Sequence, residues 1–366
     1  MPASQGPAAA SDAPAHLQPV TLHIRGVQIA FPFKPYASQL AMMDRVVQAL
    51  KHSQNVLLEL PTGSGKSLSL LCAACAWQEG EATALRKEFL IKKDGDEGKG
   101  PKEGKPPKAP KVYICSRTHS QLEQLVRELR KTPYSPRMCV LGSREQYCIN
   151  EDVCRPGTGK SKGEGCKEKL EENKCGHFHG VQRLAAHPRL QQPHDIEDMV
   201  ALGHKLRGCP YFAARQLQQE ASIVFCPYNY ILDPAVRAAM DIDLAGASVV
   251  VDEAHNIEDC CRDAAGLQVS EEQLLEAGLQ WETTRVLEGD DGETYQALDA
   301  VTRSLASFLR GEVPNLEAQS HLCAQKVSNG HVAAQVFRDA GVSEETLKPL
   351  SAFVVKALKA LDENKG

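Results

Sequence analysis

Residues 58–71 read LELPTGSGKSLSLL: a short apolar run, a turn with two glycines, then a Lys-Ser pair opening a helical pattern. Few folds use that order. A strand must carry the turn to a rim, the glycines must let the backbone close around an anion, and the helix must begin there so that its free amides face the charge. In this reading Pro61, Thr62, Gly63, Ser64 and Gly65 form a cradle for the phosphates of ATP. Lys66 reaches the β- and γ-phosphates, and the Ser67 hydroxyl helps hold magnesium. The usual phosphate-loop pattern has a glycine where Leu60 stands, which marks a variant entry to the loop.

The rest of the chain supplies the sheet such a loop requires. VTLHIRGVQIAFPF (20–33) alternates like a hairpin, SQLAMMDRVVQAL has helical spacing, NVLLEL (55–60) is a strand and KSLSLLCAACAW a helix. Strands follow in KVYICS, RMCVLG, ASIVFCPYNYIL and ASVVVDEAH, and THSQLEQLVRELRK is a helix capped by Thr118. Strands interleaved with helices imply an α/β fold with a parallel sheet covered on both faces. VVVDEAH then delivers two carboxylates to the rim where ligands of such sheets bind. Asp252 is expected to hold magnesium, Glu253 to orient and polarise the attacking water, and His255, beyond them on the same loop, to couple the site to nucleic acid.

Three segments depart from this pattern. Residues 1–18 read as a disordered tail, and the Lys, Gly and Pro-rich stretch at about 81–110 as an exposed mobile insert. The insert is a solvated linker, or else a nuclear-import or phosphate-contacting segment. Residues 148–209 have little core-forming sequence, so something other than hydrophobic burial is expected to hold them. From about 263 amphipathic helices follow one another with no strand between, including ETLKPLSAFVVKALKAL.

Thirteen cysteines accompany a net charge of −5. No secretory signal is visible at the N-terminus and no apolar run approaches the roughly 18 residues of a membrane span. A reducing compartment and no membrane partner are therefore expected, and metal binding or burial is a better reading of the cysteines than a disulfide framework. Cys72 and Cys75 lie in an apolar helix and read as core. Cys148, Cys166, Cys175 and Cys209 sit among polar residues, separated by 17, 8 and 33 residues without a CxxC knuckle. Spacing alone favours neither zinc nor an iron–sulfur cluster.

The phosphate loop, the DEAH carboxylates and four cysteines between them resemble the iron–sulfur DEAH-type superfamily 2 helicases related to the xeroderma-pigmentosum group D protein, in which the variant loop entry is usual. FPFKPYASQLAMM, DIEDMVALGHKLRGCPYFAAR, FCPYNYILD and VVVDEAHNIEDC look most like the Fanconi anaemia group J branch, and SRTHSQL with VLGSREQYC equally like the telomere-length regulator branch. The resemblance implies a RecA-like motor domain over 19–145 and 210–262, an inserted [4Fe–4S] domain over 146–209, and the start of a helical Arch domain over 263–366. It implies that the four cysteines ligate the cluster, with Cys154 a bystander, and that Gln39, after the aromatic Tyr36, reads adenine. Ser116, Arg117, Thr118, His119 and Arg144 would touch DNA, although a solvated loop role is open for Arg144 and the SRTH residues. The implied function is ATP-driven 5′-to-3′ translocation on single-stranded or forked DNA, in the nucleus, alongside DNA repair proteins. No second motor domain follows the DEAH motif, so this chain alone is expected to bind ATP and turn it over scarcely. The alternative is a short product that binds ATP or DNA without unwinding.

Overall fold

The computed structural model describes residues 18–94, 108–155, 161–266, 269–287, 292–312, 317–320, 323–325, 335 and 338. They divide into two compact units, 1–265 and 266–366.

The first unit opens with a hairpin of β1 (Val20–Ile24) and β2 (Val27–Phe31), with Val20 opposite Phe31 and Ile24 opposite Val27. Arg25 and Gly26 turn the chain with φ of 50° and 78°, a left-handed pair that matches the twist of a two-residue hairpin. Next come α1 (Ala37–Lys51) and α2 (Lys66–Asp94). The strand expected at residues 55–60 joins no ladder among the described residues. Leu58 and Leu60 pack on the core, while Val56 and Leu57 are 47% and 88% exposed. An apolar run becomes a strand only where a neighbour takes its backbone groups, and none does here. The insert also begins later than expected. Its first residues, rich in Glu, Ala, Leu, Arg and Lys, extend α2 to Asp94, because such side chains lose little freedom in a helix. Residues 95–107 lie outside the described residues.

The chain continues through β3 (Val112–Ser116), α3 (His119–Leu129), β4 (Met138–Val140), α4 (Arg144–Tyr147), α5 (Glu151–Cys154), α6 (Lys162–Glu171), α7 (Val181–Ala185), α8 (Ile196–Leu206) and α9 (Pro210–Glu220). It closes with β5 (Ile223–Pro227), α10 (Tyr228–Leu232), α11 (Pro234–Ala239), β6 (Ser248–Val251) and α12 (Ile257–Ala265). The apolar run after β5 turns helical at Tyr228, directly after Pro227. The sheet is parallel, in the order β4-β5-β3-β6, with Ile114 level with Phe225 on one side and Val250 on the other.

Alternate residues of β3 enter different cores. Val112 and Ile114 pack with Met43, Val47, Leu71, Leu122 and Leu125. Tyr113 and Cys115 pack with Leu184, Met199, Leu202 and Tyr211 on the other face. Part of the cysteine-bearing segment therefore covers the sheet, and hydrophobic burial holds that part, contrary to expectation. Its apolar residues are spread across α7, α8 and the turn between them, too thinly for any one stretch to read as core. Cys72 and Cys75 are fully buried in the first core, and burial pushes the Cys72 thiol up to about 12.

In the second unit α13 (Glu271–Leu287) packs along α14 (Gly292–Glu312), with Gly278 facing Asp299 and Thr302. A short antiparallel pair follows, β7 (Glu317–Ser320) and β8 (Cys323–Gln325), where only helices were expected. The helix expected at ETLKPLSAFVVKALKAL lies outside the described residues.

Candidate functional site

The phosphate loop crosses the gap between Leu60 and α2. Gly63 and Gly65 have φ of 79° and 75°, a left-handed backbone that costs a side-chain-bearing residue about 1–2 kcal/mol. A Cβ on Gly65 would also lie 2.4 Å from Gln39 Nε2, so a side chain there would displace Gln39 from the loop it braces. Gln39 is 2% exposed. It donates to the Ser64 carbonyl at 3.2 Å and accepts from the Tyr36 amide at 2.9 Å, so it braces the loop, with Tyr36 exposed next to it. Pro61 O accepts from the Ser64 amide at 3.3 Å, and the enclosed Ser64 hydroxyl has no partner. An unsatisfied donor in a nest of backbone amides fits an anion.

The DEAH loop faces this cradle. The Asp252 amide donates to Cys115 O at 2.8 Å, and Tyr228 Oη donates to the Asp252 and Glu253 carbonyls. Thus pinned, Glu253 takes a left-handed φ of 53°, strain of the kind that concentrates at functional sites. Glu253 Oε1 lies 3.6 Å from Lys66 Nζ, and Glu253 Oε2 lies 3.4 Å from His255 Nδ1. His255 Nε2 is 3.0 Å from Asn256 Nδ2, and Arg117 donates to Asn256 Oδ1 at 2.9 Å. One polar relay therefore runs from the phosphate loop to the SRTH segment. Burial, then the neighbouring Glu253 charge, raises the Asp252 carboxyl above its ordinary range, with Lys66 opposing. A cation at Asp252 would relieve this, so Asp252 and Ser67 fit the magnesium of a nucleotide.

The SRTH residues differ among themselves. Ser116 is fully buried and donates to Gln121 Oε1 at 3.0 Å, while Thr118 caps α3 by accepting from the Gln121 amide. Burial lowers the His119 imidazole. Arg117 is exposed, as is Thr118, and it is held by Asn256.

Cys148, Cys166, Cys175 and Cys209 line one small cavity with the apolar Ile149, Val153, Leu170, Phe178 and Phe212 and the polar Asn150 and His177. Cys148 ends α4, Cys166 lies in α6, Cys175 follows α6, and Cys209 precedes α9. Two glycines let the last two approach. A Cβ on Gly180 would lie 2.3 Å from Arg207 O, and one on Gly208 would lie 2.7 Å from Gly180 O. The Cys209 amide then donates to His177 O at 2.8 Å. Burial pushes the Cys148 thiol up to about 12 and raises Cys209 despite backbone amides from Phe212 and Tyr211. Among the described residues no three Cys, His, Asp or Glu converge tightly enough to grip a single ion. Four thiols lining one shared cavity match the donor set of a [4Fe–4S] group, as they do that of a four-cysteine zinc site. Cys154 donates to Cys148 O at 3.3 Å and does not line the cavity.

Arg144 opens α4, its guanidinium 4.5 Å from the Tyr211 ring centre and 5.9 Å from that of Phe212. Its Nε is enclosed without a partner. Tyr228, Asn256, Tyr211, Asn150 and His177 were not foreseen as members of these sites; adjacency to the DEAH motif or to a cysteine was the one signal available for Asn256, Tyr211, Asn150 and His177.

The family model DEAD_2 matches residues 114–274. The regulator of telomere elongation helicase 1 of Bos taurus is 40% identical over 262 residues, covering 68% of this chain and 22% of that protein. Its Homo sapiens counterpart is 38% identical over 273 residues, covering 69% and 22%, and the Drosophila ananassae homologue is 42% identical over 265, covering 67% and 27%. The chain thus spans about a quarter of these relatives' length. They fall in the branch the motifs suggested second. A solved structure titled XPD_Helicase aligns at 18% identity with a TM-score of 0.43, covering 86% of this chain and 48% of that one. Residues 114–274 carry the DEAD_2 pattern, and over about two thirds of its length the chain is similar to regulators of telomere elongation helicase 1.

Proposed function

We propose that the chain is the phosphate-binding part of an ATP-driven, 5′-to-3′ DNA helicase of genome maintenance, nuclear, acting on single-stranded and forked DNA with repair proteins. The relay from Lys66 through Glu253, His255 and Asn256 to Arg117 carries this reading, because it joins a phosphate cradle to a candidate strand contact through side chains alone.

Lys66 has Glu253 as its counter-charge. Terminal phosphates would take over that ammonium, freeing the carboxylate to accept a proton from water as its oxygen attacks the γ-phosphorus and the bond to ADP breaks. The released Glu253 lets His255 and Asn256 shift, and Arg117 with them, which changes the grip on a strand. Asp252 and Ser67 would hold magnesium, which would supply positive charge against the phosphates. A [4Fe–4S] cluster held by Cys148, Cys166, Cys175 and Cys209 would staple the polar segment of α4–α6 to the sheet's cover. Gln39 positions the loop and, with Tyr36, the adenine. An arginine finger is worth about 10³–10⁵ in rate and is not among the residues assigned here, so Lys66, Asp252 and Glu253 are expected to bind ATP with little turnover.

The test is equilibrium binding of ATP–magnesium and a single-stranded oligonucleotide to the full chain prepared anaerobically. Lys66→Ala is expected to weaken ATP about 10- to 100-fold, the worth of a charged hydrogen bond, while iron content stays. DNA-stimulated turnover that Glu253→Gln abolishes would overturn the need for a second motor; unchanged ATP affinity in Lys66→Ala would overturn the nucleotide site.

A further inference from the structure

The four-cysteine cavity has one polar wall that the ligand set does not use. His177 lines it together with the four cysteines. Its Nδ1 is enclosed and has no hydrogen-bond partner among the described residues, whereas nearly every buried polar atom of a folded protein has one. Main-chain hydrogen bonds hold the residue in place. His177 O accepts the Cys209 amide at 2.8 Å and the Gly180 amide at 3.1 Å, and Phe178 N donates to Cys175 O at 3.0 Å. The residue is thus clamped between the last two cysteines, and Gly180 and Gly208 leave the turn no room to slide. Asn150 gives a precedent in the same cavity, its amide 3.6 Å from Cys175 Sγ.

We propose that His177 is a positioning residue of the cysteine centre, its Nδ1–H donating a hydrogen bond to a sulfur of the bound group and holding its reduction potential up. The inference rests on the assignment of a [4Fe–4S] group to this cavity. The physical basis is charge: reduction adds an electron to a group already carrying four thiolates, and a donor aimed at sulfur stabilises the more negative state. No ring ionisation is involved, since the neutral Nδ1–H tautomer suffices. The enclosed atom left unpartnered in the protein alone is the donor the group would satisfy.

The experiment is a redox titration of the full chain prepared anaerobically, followed by visible absorption and by the electron-spin spectrum of the reduced state, with iron counted per chain. His177→Phe fills the space and removes the donor; His177→Asn puts an amide N–H near the place of Nδ1. The expected result is four irons in the parent and in both variants. In His177→Phe the ratio of reduced to oxidised protein at a fixed potential falls about tenfold, equivalent to about 59 mV for one electron, and His177→Asn restores most of it. Iron lost from His177→Phe but kept at the parental potential in His177→Asn supports the donor equally. An unmoved potential and spectrum in an iron-replete His177→Phe, an equal shift in both variants, or loss of iron from both overturns the role of His177 and leaves the cluster assignment standing. A parent without iron overturns both.

Discussion

At the scale of single residues, polar groups shut from water without full partners mark where this protein is poised. His194 is 1% exposed, its Nδ1 2.9 Å from Gln192 O and its Nε2 unpartnered. Burial, the largest cause, lowers its pKa below 6.5, against the attraction of Asp198 and Asp195, with Arg130 adding to the lowering. The unfolded chain therefore takes up a proton near pH 6.5 that the folded chain refuses. Stability is full above that pH and falls as pH drops, by at most about 1.4 kcal/mol per unit for this one group. Denaturant titrations at pH 7.5 and 5.5 should show a smaller acid loss in His194→Gln than in the parent. Arg144 belongs to the same class. Stacking on Tyr211 is worth about 0.5–2 kcal/mol, and Arg144→Ala should lose that much in unfolding. If the guanidinium also meets a phosphate, the single-strand salt slope drops by about 0.7 while iron is retained; an unchanged slope would leave Arg144 a purely structural stack.

Elements meet where glycine permits. The Cys175–Gly180 turn touches the end of α8 backbone to backbone, and a methyl group at Gly180 would collide with Arg207 O at 2.3 Å. Backbone cannot swing aside as a side chain can. Gly180→Ala should therefore separate Cys175 from Cys209 and lower the iron bound per chain. Gly176→Ala, whose Cβ would meet nothing within 4 Å, should leave iron near the parental count. Equal iron in both variants would show that the close approach does not hold the centre together.

For the whole molecule, the sheet ends at β6 with Val249 42% exposed, and Leu57 is 88% exposed beside the phosphate loop. An edge strand and an exposed leucine invite association. Leu57→Ser should leave the unfolding free energy within about 0.5 kcal/mol and reduce self-association in sedimentation; a large loss of stability would mean that Leu57 is packed in solution. Among the described residues no helix is long and apolar enough to cross a membrane.

Local chemistry was enough to read the phosphate loop, the α3 cap at Thr118 and the parallel α/β order. The loop needs Gly63 and Gly65 at left-handed positions, and apolar runs between polar turns define buried strands wherever they pair. The resemblance to the iron–sulfur helicases also picked out the four cysteines that line one cavity. Tertiary structure decided the rest. Residues 55–60 read as a strand because periodicity reports burial, yet a ladder depends on a neighbour's backbone, which no local pattern contains. Leu184, Met199 and Leu202 looked like scattered apolar residues until α7 and α8 brought them together under Tyr113 and Cys115. The Lys66-to-Arg117 relay joins residues far apart in the chain, and the clamp on His177 depends on two glycines whose carbonyls and Cα atoms meet only after α8 has turned back. Contacts of that range are set by which faces the sheet buries, and no stretch of sequence carries that information alone.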